Sequence, residues 1–173
     1  MITLRKVALI ALLLAVTAAM AQTDSYRLAP GDKVAISVFG EDDLSINVTL
    51  ANDGILKYPF LGDIRVTGLT LPELERTIAD GLRGDYLINP DVTVSIQQYR
   101  PFYLNGEVNR PGSYEYQPGL TLERALALAG GLSPRAARGK VEVKRANSDS
   151  FERVDMKDPV YAGDVINVPQ SFF

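Results

Sequence analysis

Apolar and polar residues alternate with a period of two over several short segments, the pattern of half-buried β-strands. In the clearest case, Lys33–Val38, the side chains of Val34, Ile36 and Val38 share one face. The same pattern predicts eight further strands: Ile46–Leu50, Ile55–Tyr58, Val92–Ile96, Phe102–Val108, Ser113–Tyr116, Lys140–Arg145, Phe151–Asp155 and Val165–Val168. The chain is therefore predicted to be rich in strands.

Two turn sequences predict hairpins. Asp53-Gly54 separates the second and third predicted strands, and Asp-Gly is a strong hairpin signal because glycine accepts a positive φ. Pro111-Gly112 has the residue types that a type II turn favours, and it lies between the strands starting at Phe102 and Ser113. Both pairs of strands are expected to be antiparallel neighbours.

Two segments instead show helical spacing. Thr70 and Glu73 form a capping-box sequence, followed by an apolar stripe that ends before Gly84 and consists of Leu71, Leu74, Ile78 and Leu82. Thr121 is expected to cap a second, shorter helix, Leu122–Ala129, which Gly130-Gly131 ends.

Two short sequences occur twice in the chain. Gly68–Leu71 and Gly119–Leu122 are identical, and each opens a predicted helix. Gly31-Asp32 and Gly163-Asp164 each precede a strand. These echoes predict an α+β fold of two small strand-rich units, each with one helix against its sheet.

The start of the chain has the features of a secretory signal peptide. A basic pair, Arg5-Lys6, precedes the apolar run Val7–Val16, and Ala19–Ala21 has the small residues read by signal peptidase. A helix over residues 7–20 would span about 21 Å, less than the roughly 30 Å hydrocarbon core. Cleavage after Ala21, giving a signal peptide over residues 1–21, is favoured over an uncleaved anchor.

The composition narrows the chemistry. The chain has a net charge of −3, which argues against a nucleic-acid partner. It contains no histidine and no cysteine, so the usual nucleophile systems and metal sites lose their ligands. No catalytic, cofactor-binding or metal-binding residue is predicted, and no cysteine is present for lipidation.

Two acidic features are candidate catalytic or contact sites. Glu41, Asp42 and Asp43 are consecutive, whereas a glycosidase needs two opposed carboxylates, so a solvated turn is favoured. Asp32 and Asp164 are either ligand or subunit contacts or the acids of tight turns, in which each carboxylate bonds the backbone two residues on. The turn interpretation is favoured.

Four tyrosines around the second predicted hairpin are the candidate contact residues: Tyr99, Tyr103, Tyr114 and Tyr116. Their rings could stack on sugars and their hydroxyls could bond a glycan, or they could meet a neighbouring subunit. Packing in the core and across strands explains the same residues without a ligand. Both interpretations stay open.

The order of motifs resembles the polysaccharide biosynthesis/export protein family. The first unit carries Tyr26–Asp32, Asp53-Gly54, Tyr58–Gly62, Gly68–Thr70 and Asn89–Val92. The second unit resembles the soluble-ligand-binding β-grasp (SLBB) domain through Tyr103–Val108, Pro111-Gly112, Thr121-Leu122, Ala129–Leu132 and Gly163–Ile166. The resemblance implies an export domain over residues 22–98 and a β-grasp domain over residues 99–173.

The family's role, as the resemblance implies it, is non-catalytic. Members form a periplasmic ring associated with the outer membrane, through which capsular or extracellular polysaccharide leaves the cell. The implied partners are the polysaccharide, further copies of the chain, and an inner-membrane co-polymerase with its tyrosine kinase.

This chain differs from the larger members of the family in two respects. The chain has no lipid-acceptor cysteine, and it ends five residues after Val168, which leaves no room for a C-terminal membrane-crossing helix. A separate outer-membrane protein, a β-barrel, is therefore expected to complete the path. The alternatives are a free-standing periplasmic glycan-binding module and a carboxylate-based glycan hydrolase or lyase.

Overall fold

A computed structural model describes residues 26–171 of the chain, so the predicted signal peptide lies outside the described residues. The described part contains two separate clusters of buried apolar residues, one from Leu28 to Val94 and one from Phe102 to Val168. We call the elements around these clusters the first unit and the second unit. The segment Tyr99–Pro101 connects them.

The first unit has a three-stranded antiparallel sheet and a separate hairpin. Its sheet has the order β2-β1-β5, formed by Ile46–Thr49, Lys33–Val38 and Val92–Gln98. Strands β3 (Ile55–Tyr58) and β4 (Gly62–Arg65) pair only with each other in that hairpin. As predicted, the alternate residues Val34, Ile36 and Val38 of β1 are buried.

Helix α1 (Leu71–Leu82) packs against β5. Its N-terminus has the predicted capping box: the Thr70 hydroxyl accepts from Glu73 N, and the Glu73 carboxylate accepts from Thr70 N at 2.8 Å. These bonds satisfy amides that have no partner within the helix. Leu74, Ile78 and Leu82 are buried, so the apolar stripe faces the core as expected.

The second unit has one five-stranded mixed sheet. Its order is β7-β6-β10-β8-β9, formed by Gly112–Tyr114, Phe102–Gly106, Val165–Val168, Glu142–Lys144 and Phe151–Arg153. The central pair β6 and β10 is parallel, and the other pairs are antiparallel. Helix α2 (Leu122–Leu128) buries Leu122, Ala125 and Leu126 in the second cluster, and Gly130-Gly131 follows with positive φ.

The predicted fold class, α+β with two strand-rich units that each hold one helix and a β-grasp-like second unit, is confirmed. The hairpin across Asp53-Gly54 is wrong. A turn does form there, since Gly54 N donates to Ala51 O at 3.0 Å, but β2 pairs with β1 while β3 pairs with the unpredicted β4. Local turn chemistry cannot specify which sheet each strand joins.

Two smaller predictions also need correction. The β6–β7 hairpin forms, but Gly112 has φ 157° and lies opposite Leu104, not at the roughly +80° of a type II turn. Thr121 is the N-cap residue of α2, yet its side chain makes no capping hydrogen bond.

Candidate functional site at the junction of the two units

Arg100, in the connecting segment, binds the Asp32 turn of the first unit. Its backbone N donates to Asp32 Oδ1 at 2.9 Å, and its Nη1 lies 3.0 Å from Asp32 Oδ2. The same Nη1 donates to the Tyr26 hydroxyl at 2.7 Å. The Asp32 side chain is fully buried and that of Arg100 is 17% exposed, so solvent screens this ion pair poorly.

The Asp32 carboxylate accepts two further hydrogen bonds from residues of its own turn. The Tyr26 hydroxyl donates to Oδ1 at 2.6 Å, and Ala29 N donates to Oδ2 at 2.8 Å. A buried carboxylate is tolerated when it is paired and hydrogen-bonded in this way. Burial, followed by the bond to Asp32, raises the pKa of Tyr26 well above its ordinary value, so Tyr26 stays a neutral donor.

Asp164 has a related arrangement within the second unit. Its Oδ2 accepts from Tyr161 N at 2.8 Å and from Arg145 Nη1 at 2.7 Å. Arg145 also donates through Nε to Glu152 at 2.7 Å. Burial raises the pKa of Asp164, against the lowering effect of the Tyr161 N–H and of Arg145. In both turns an arginine lies over a tyrosine ring, at 5.5 Å for Arg100 on Tyr26 and 5.2 Å for Arg145 on Tyr161.

The two Gly-Asp turns converge on Arg100. A Cβ at Gly31 would lie 3.3 Å from Arg100 Cβ, and a Cβ at Gly163 would lie 2.9 Å from Arg100 Nε. Gly163 N also donates to Pro101 O at 3.0 Å. Both glycines have positive φ, at 92° and 87°. Positive φ favours glycine in both turns, and at Gly163 the close approach to Arg100 adds a steric reason.

The favoured interpretation of Asp32 and Asp164 as turn acids needs one correction. Each carboxylate accepts a backbone N–H from the third residue before it, Ala29 or Tyr161, and not from the second residue after it. Each also binds an arginine. Sequence reasoning did not find Arg100, because its bond to Asp32 spans 68 positions.

A groove with a volume of about 740 Å³ lies over this junction. Residues from both units and from the connecting segment line it: Tyr26, Arg27, Tyr99, Arg100, Tyr116, Pro118, Gly119, Leu120, Asn147, Pro159, Val160, Tyr161 and Ala162. The ring of Tyr99 meets Tyr26 edge-to-face at 4.8 Å and Tyr116 at 5.4 Å. These contacts form a row of half-buried aromatic rings along the groove.

The structure separates the four tyrosines singled out in the sequence. Tyr99 and Tyr116 lie in the groove. Tyr114 stacks on Phe102, and its hydroxyl donates to the backbone oxygen of Arg110. Tyr103 is 43% exposed and lies on the opposite face of β6 from the buried residues on either side of it. Contact with a glycan or a subunit stays a prediction for all four.

Sequence reasoning missed Tyr26 and Tyr161 as groove residues. A signal for them was present, because each tyrosine shortly precedes a Gly-Asp pair, six residues before Asp32 and three before Asp164.

The residues of the acidic cluster do not line the groove. Glu41, Asp42 and Asp43 are exposed, and the last two lie in a short 3-10 turn, Asp42–Leu44. Among residues 26–171, no group of three acidic residues is arranged to hold a metal ion. None of the helices in that range has both the length and the apolar content for a membrane crossing.

Two domain models match the chain in the order of the two units. The model for "Polysaccharide biosynthesis/export protein" matches residues 20–97, and the SLBB domain model matches residues 101–156. The boundary between the matches falls at the segment that carries Arg100.

Three relatives match most of this chain. It is 35% identical over 147 residues to the exopolysaccharide production protein ExoF of Rhizobium meliloti, covering 78% of this chain and 35% of ExoF. It is 28% identical to the polysialic acid transport protein KpsD of Escherichia coli, covering 70% of this chain and 22% of KpsD. The EPS I polysaccharide export outer membrane protein EpsA of Ralstonia nicotianae is 30% identical, covering 66% of this chain and 36% of EpsA.

The fold and the junction thus define a two-domain α+β protein, with an export domain followed by an SLBB domain. The chain belongs to the polysaccharide biosynthesis/export protein family. It spans only between about a fifth and a third of the length of the curated relatives it matches.

Proposed function

We propose that this chain is a non-catalytic scaffold in a machinery that exports a capsular or extracellular polysaccharide. The observation that carries the proposal is the match of both domains, in order, to an export domain and an SLBB domain. The names of the three relatives, which concern exopolysaccharide production, polysialic acid transport and polysaccharide export, support the same process.

The geometry of the junction fits a scaffold better than an enzyme. Its two buried carboxylates are used internally: Asp32 accepts four hydrogen bonds, and Asp164 is held by Arg145. A general acid or base needs a reachable group of suitable pKa next to a substrate. Asp32 and Asp164 are instead buried and paired, which holds two turns and a connecting segment in one arrangement.

The proposal includes a location and an assembly. After removal of residues 1–21 the chain would act in the periplasm in association with the outer membrane, with residues 22–98 and 99–173 as its two domains. Copies of it would form a ring through heterologous contacts, in which one surface patch meets a different patch on the next copy. Its proposed partners are an inner-membrane co-polymerase with a tyrosine kinase and a separate outer-membrane protein.

Secreted polysaccharide in a deletion strain tests the export role. We expect secretion to fall on deletion and to return with the wild-type chain. It should also return with a Glu41→Gln, Asp42→Asn, Asp43→Asn variant, because those acids are exposed and none of them lines the groove. If the triple variant folds and reaches wild-type levels but restores no secretion, the carboxylate-based alternative is favoured.

Self-association separates the scaffold from a free-standing glycan-binding module, which the aromatic groove also allows. Native mass spectrometry of protein purified from the envelope should show large oligomers. A protein that stays monomeric at all concentrations while still binding glycan would be a module and not a scaffold.

A further inference from the structure

We propose that the junction groove binds a short segment of an acidic sugar chain, with sugar rings against its tyrosines and a sugar carboxylate at Arg27. This inference rests on the proposed export function for its biological setting. Its support is the lining of the groove, and it adds Tyr26, Tyr161 and Arg27 to the residues expected to contact a ligand.

The aromatic content of the groove indicates a ligand with flat apolar faces and hydroxyl groups. Four tyrosines from three separate parts of the chain line one concavity: Tyr26, Tyr99, Tyr116 and Tyr161. Tyr161 is 40% exposed, and the other three are half-buried. A tyrosine in such a position offers a ring for packing and a hydroxyl for hydrogen bonding, which suits the C–H faces and hydroxyls of a sugar.

The charge in the groove indicates an anionic ligand. Two arginines and no acidic residue belong to its lining among the described residues, although the chain as a whole carries a net charge of −3. The Asp32 carboxylate, which pairs with Arg100, is buried and engaged by four donors. The lining itself therefore presents arginine side chains and no carboxylate to a ligand.

Arg27 is the side chain best placed to meet a carboxylate. It is exposed, and its Nη1 donates to Gly68 O at 2.8 Å, which fixes the guanidinium at the rim of the groove. A guanidinium has five N–H donors, so donors remain for a bidentate pair with a carboxylate. Asn147, exposed across the groove, adds an amide that can bond sugar hydroxyls.

Calorimetric titration of the protein purified from the envelope tests the site, with a galacturonic acid hexamer as the acidic probe and maltohexaose as the neutral one. We expect the acidic hexamer to bind, more weakly at high salt, and maltohexaose to bind less well. Tyr161→Ala should weaken binding by about tenfold. Arg27→Gln should weaken it several-fold and reduce its salt dependence.

The chain offers matched controls for both variants. Tyr86 is exposed to a similar extent, 48% against 40% for Tyr161, but lies outside the groove, so Tyr86→Ala should bind normally. Arg153→Gln on β9 removes an exposed arginine away from the groove. The proposal is overturned if the acidic hexamer does not bind, or if Tyr86→Ala loses as much affinity as Tyr161→Ala. It is also overturned if the wild-type protein and Arg27→Gln each bind the two hexamers equally well.

Secretion assays distinguish this proposal from the export role. If deletion of the chain abolishes secretion, while Tyr161→Ala and Arg27→Gln neither bind the hexamer differently from wild type nor change secretion, the groove proposal fails and the export role stands. If the variants lose hexamer binding as expected but deletion leaves secretion unchanged, the groove stands and the export role fails.

Discussion

The two Gly-Asp turns share a short sequence and a local geometry, but they serve different parts of the molecule. In both, a glycine with positive φ precedes a buried aspartate that accepts the N–H of the third residue before it. Asp164 is bound by Arg145 of its own unit, whereas Asp32 is bound by Arg100 of the segment between the units. The same turn therefore stabilises one sheet in the second unit and a domain junction in the first.

The largest expected difference in stability between the two turns comes from removing each carboxylate. Asp32→Ala should lower the free energy of unfolding by about 3–5 kcal/mol, because Arg100 loses its ion-pair partner and buried N–H groups lose their acceptor. Asp164→Ala should cost less, about 1–3 kcal/mol, since Arg145 keeps its bond to Glu152. Urea unfolding measures both values. Equal losses in the free energy of unfolding would mean that the two ion pairs contribute equally to stability.

Adding one methyl group to each turn should give the next largest effect. Gly163→Ala should destabilise the protein by about 2–3 kcal/mol, because the new Cβ carries the strain of a positive φ and meets both Arg100 Nε and Ala146 Cβ within 3.0 Å. Gly31→Ala has a single 3.3 Å contact and should cost about 1–2 kcal/mol. The melting temperatures of the two variants are compared, and that of Gly163→Ala should be the lower. The opposite order would show that close approach to Arg100 does not decide the cost.

The repeated sequence Gly-Leu-Thr-Leu gives a smaller contrast between the units. Thr70→Ala should cost about 1 kcal/mol, because its hydroxyl accepts from Glu73 N in a complete capping box. Thr121→Ala should cost less than about 0.5 kcal/mol, since that side chain makes no capping bond. Chemical unfolding of both variants checks the pair, and similar losses would show that Thr121 caps its helix in solution.

The smallest expected effect is a pH dependence of the stability that the Thr70–Glu73 capping box provides. The backbone N–H and hydroxyl of Thr70 lower the pKa of Glu73 below its ordinary value of 4.5. A lowered folded pKa gives stabilisation that is present above pH 4.5 and is lost as the pH falls through the folded value.

The difference in melting temperature between wild type and Glu73→Gln should therefore be present at neutral pH and vanish in acid. Glu123→Gln, in the first turn of α2, is the matched control at neutral pH, where it should change the melting temperature less because Thr121 makes no capping bond. A difference for Glu73→Gln that is independent of pH would contradict the role of its charge.

The parts of the fold that were predictable from sequence are those set by neighbouring residues. The alternation in β1, the capping box of α1 and the β6–β7 hairpin each depend on residues close in the chain. The partner of β2 was mispredicted because the pairing of β1 with β2 on one side and β5 on the other is decided by packing of the whole unit.

The candidate site was only half predictable for the same reason. The aromatic residues Tyr99 and Tyr116 stood out in the sequence because they are close to the second hairpin. Tyr26 and Tyr161 join them only after the two units fold, and Arg100 meets Asp32 across 68 positions. No local pattern reports a contact of that separation.

The central claim, that Arg100 fixes the two units in one arrangement, can be tested by one distance measurement. The chain has no cysteine, so spin labels can be attached at Lys57→Cys in the first unit and Ser113→Cys in the second, both exposed positions. Electron–electron double resonance gives the distribution of distances between the two labels. This distribution would be compared among the doubly labelled wild-type background, Arg100→Leu and the matched Arg145→Leu. We expect a single narrow distance distribution that broadens in Arg100→Leu and stays narrow in Arg145→Leu. A distribution that is equally narrow in Arg100→Leu would contradict it.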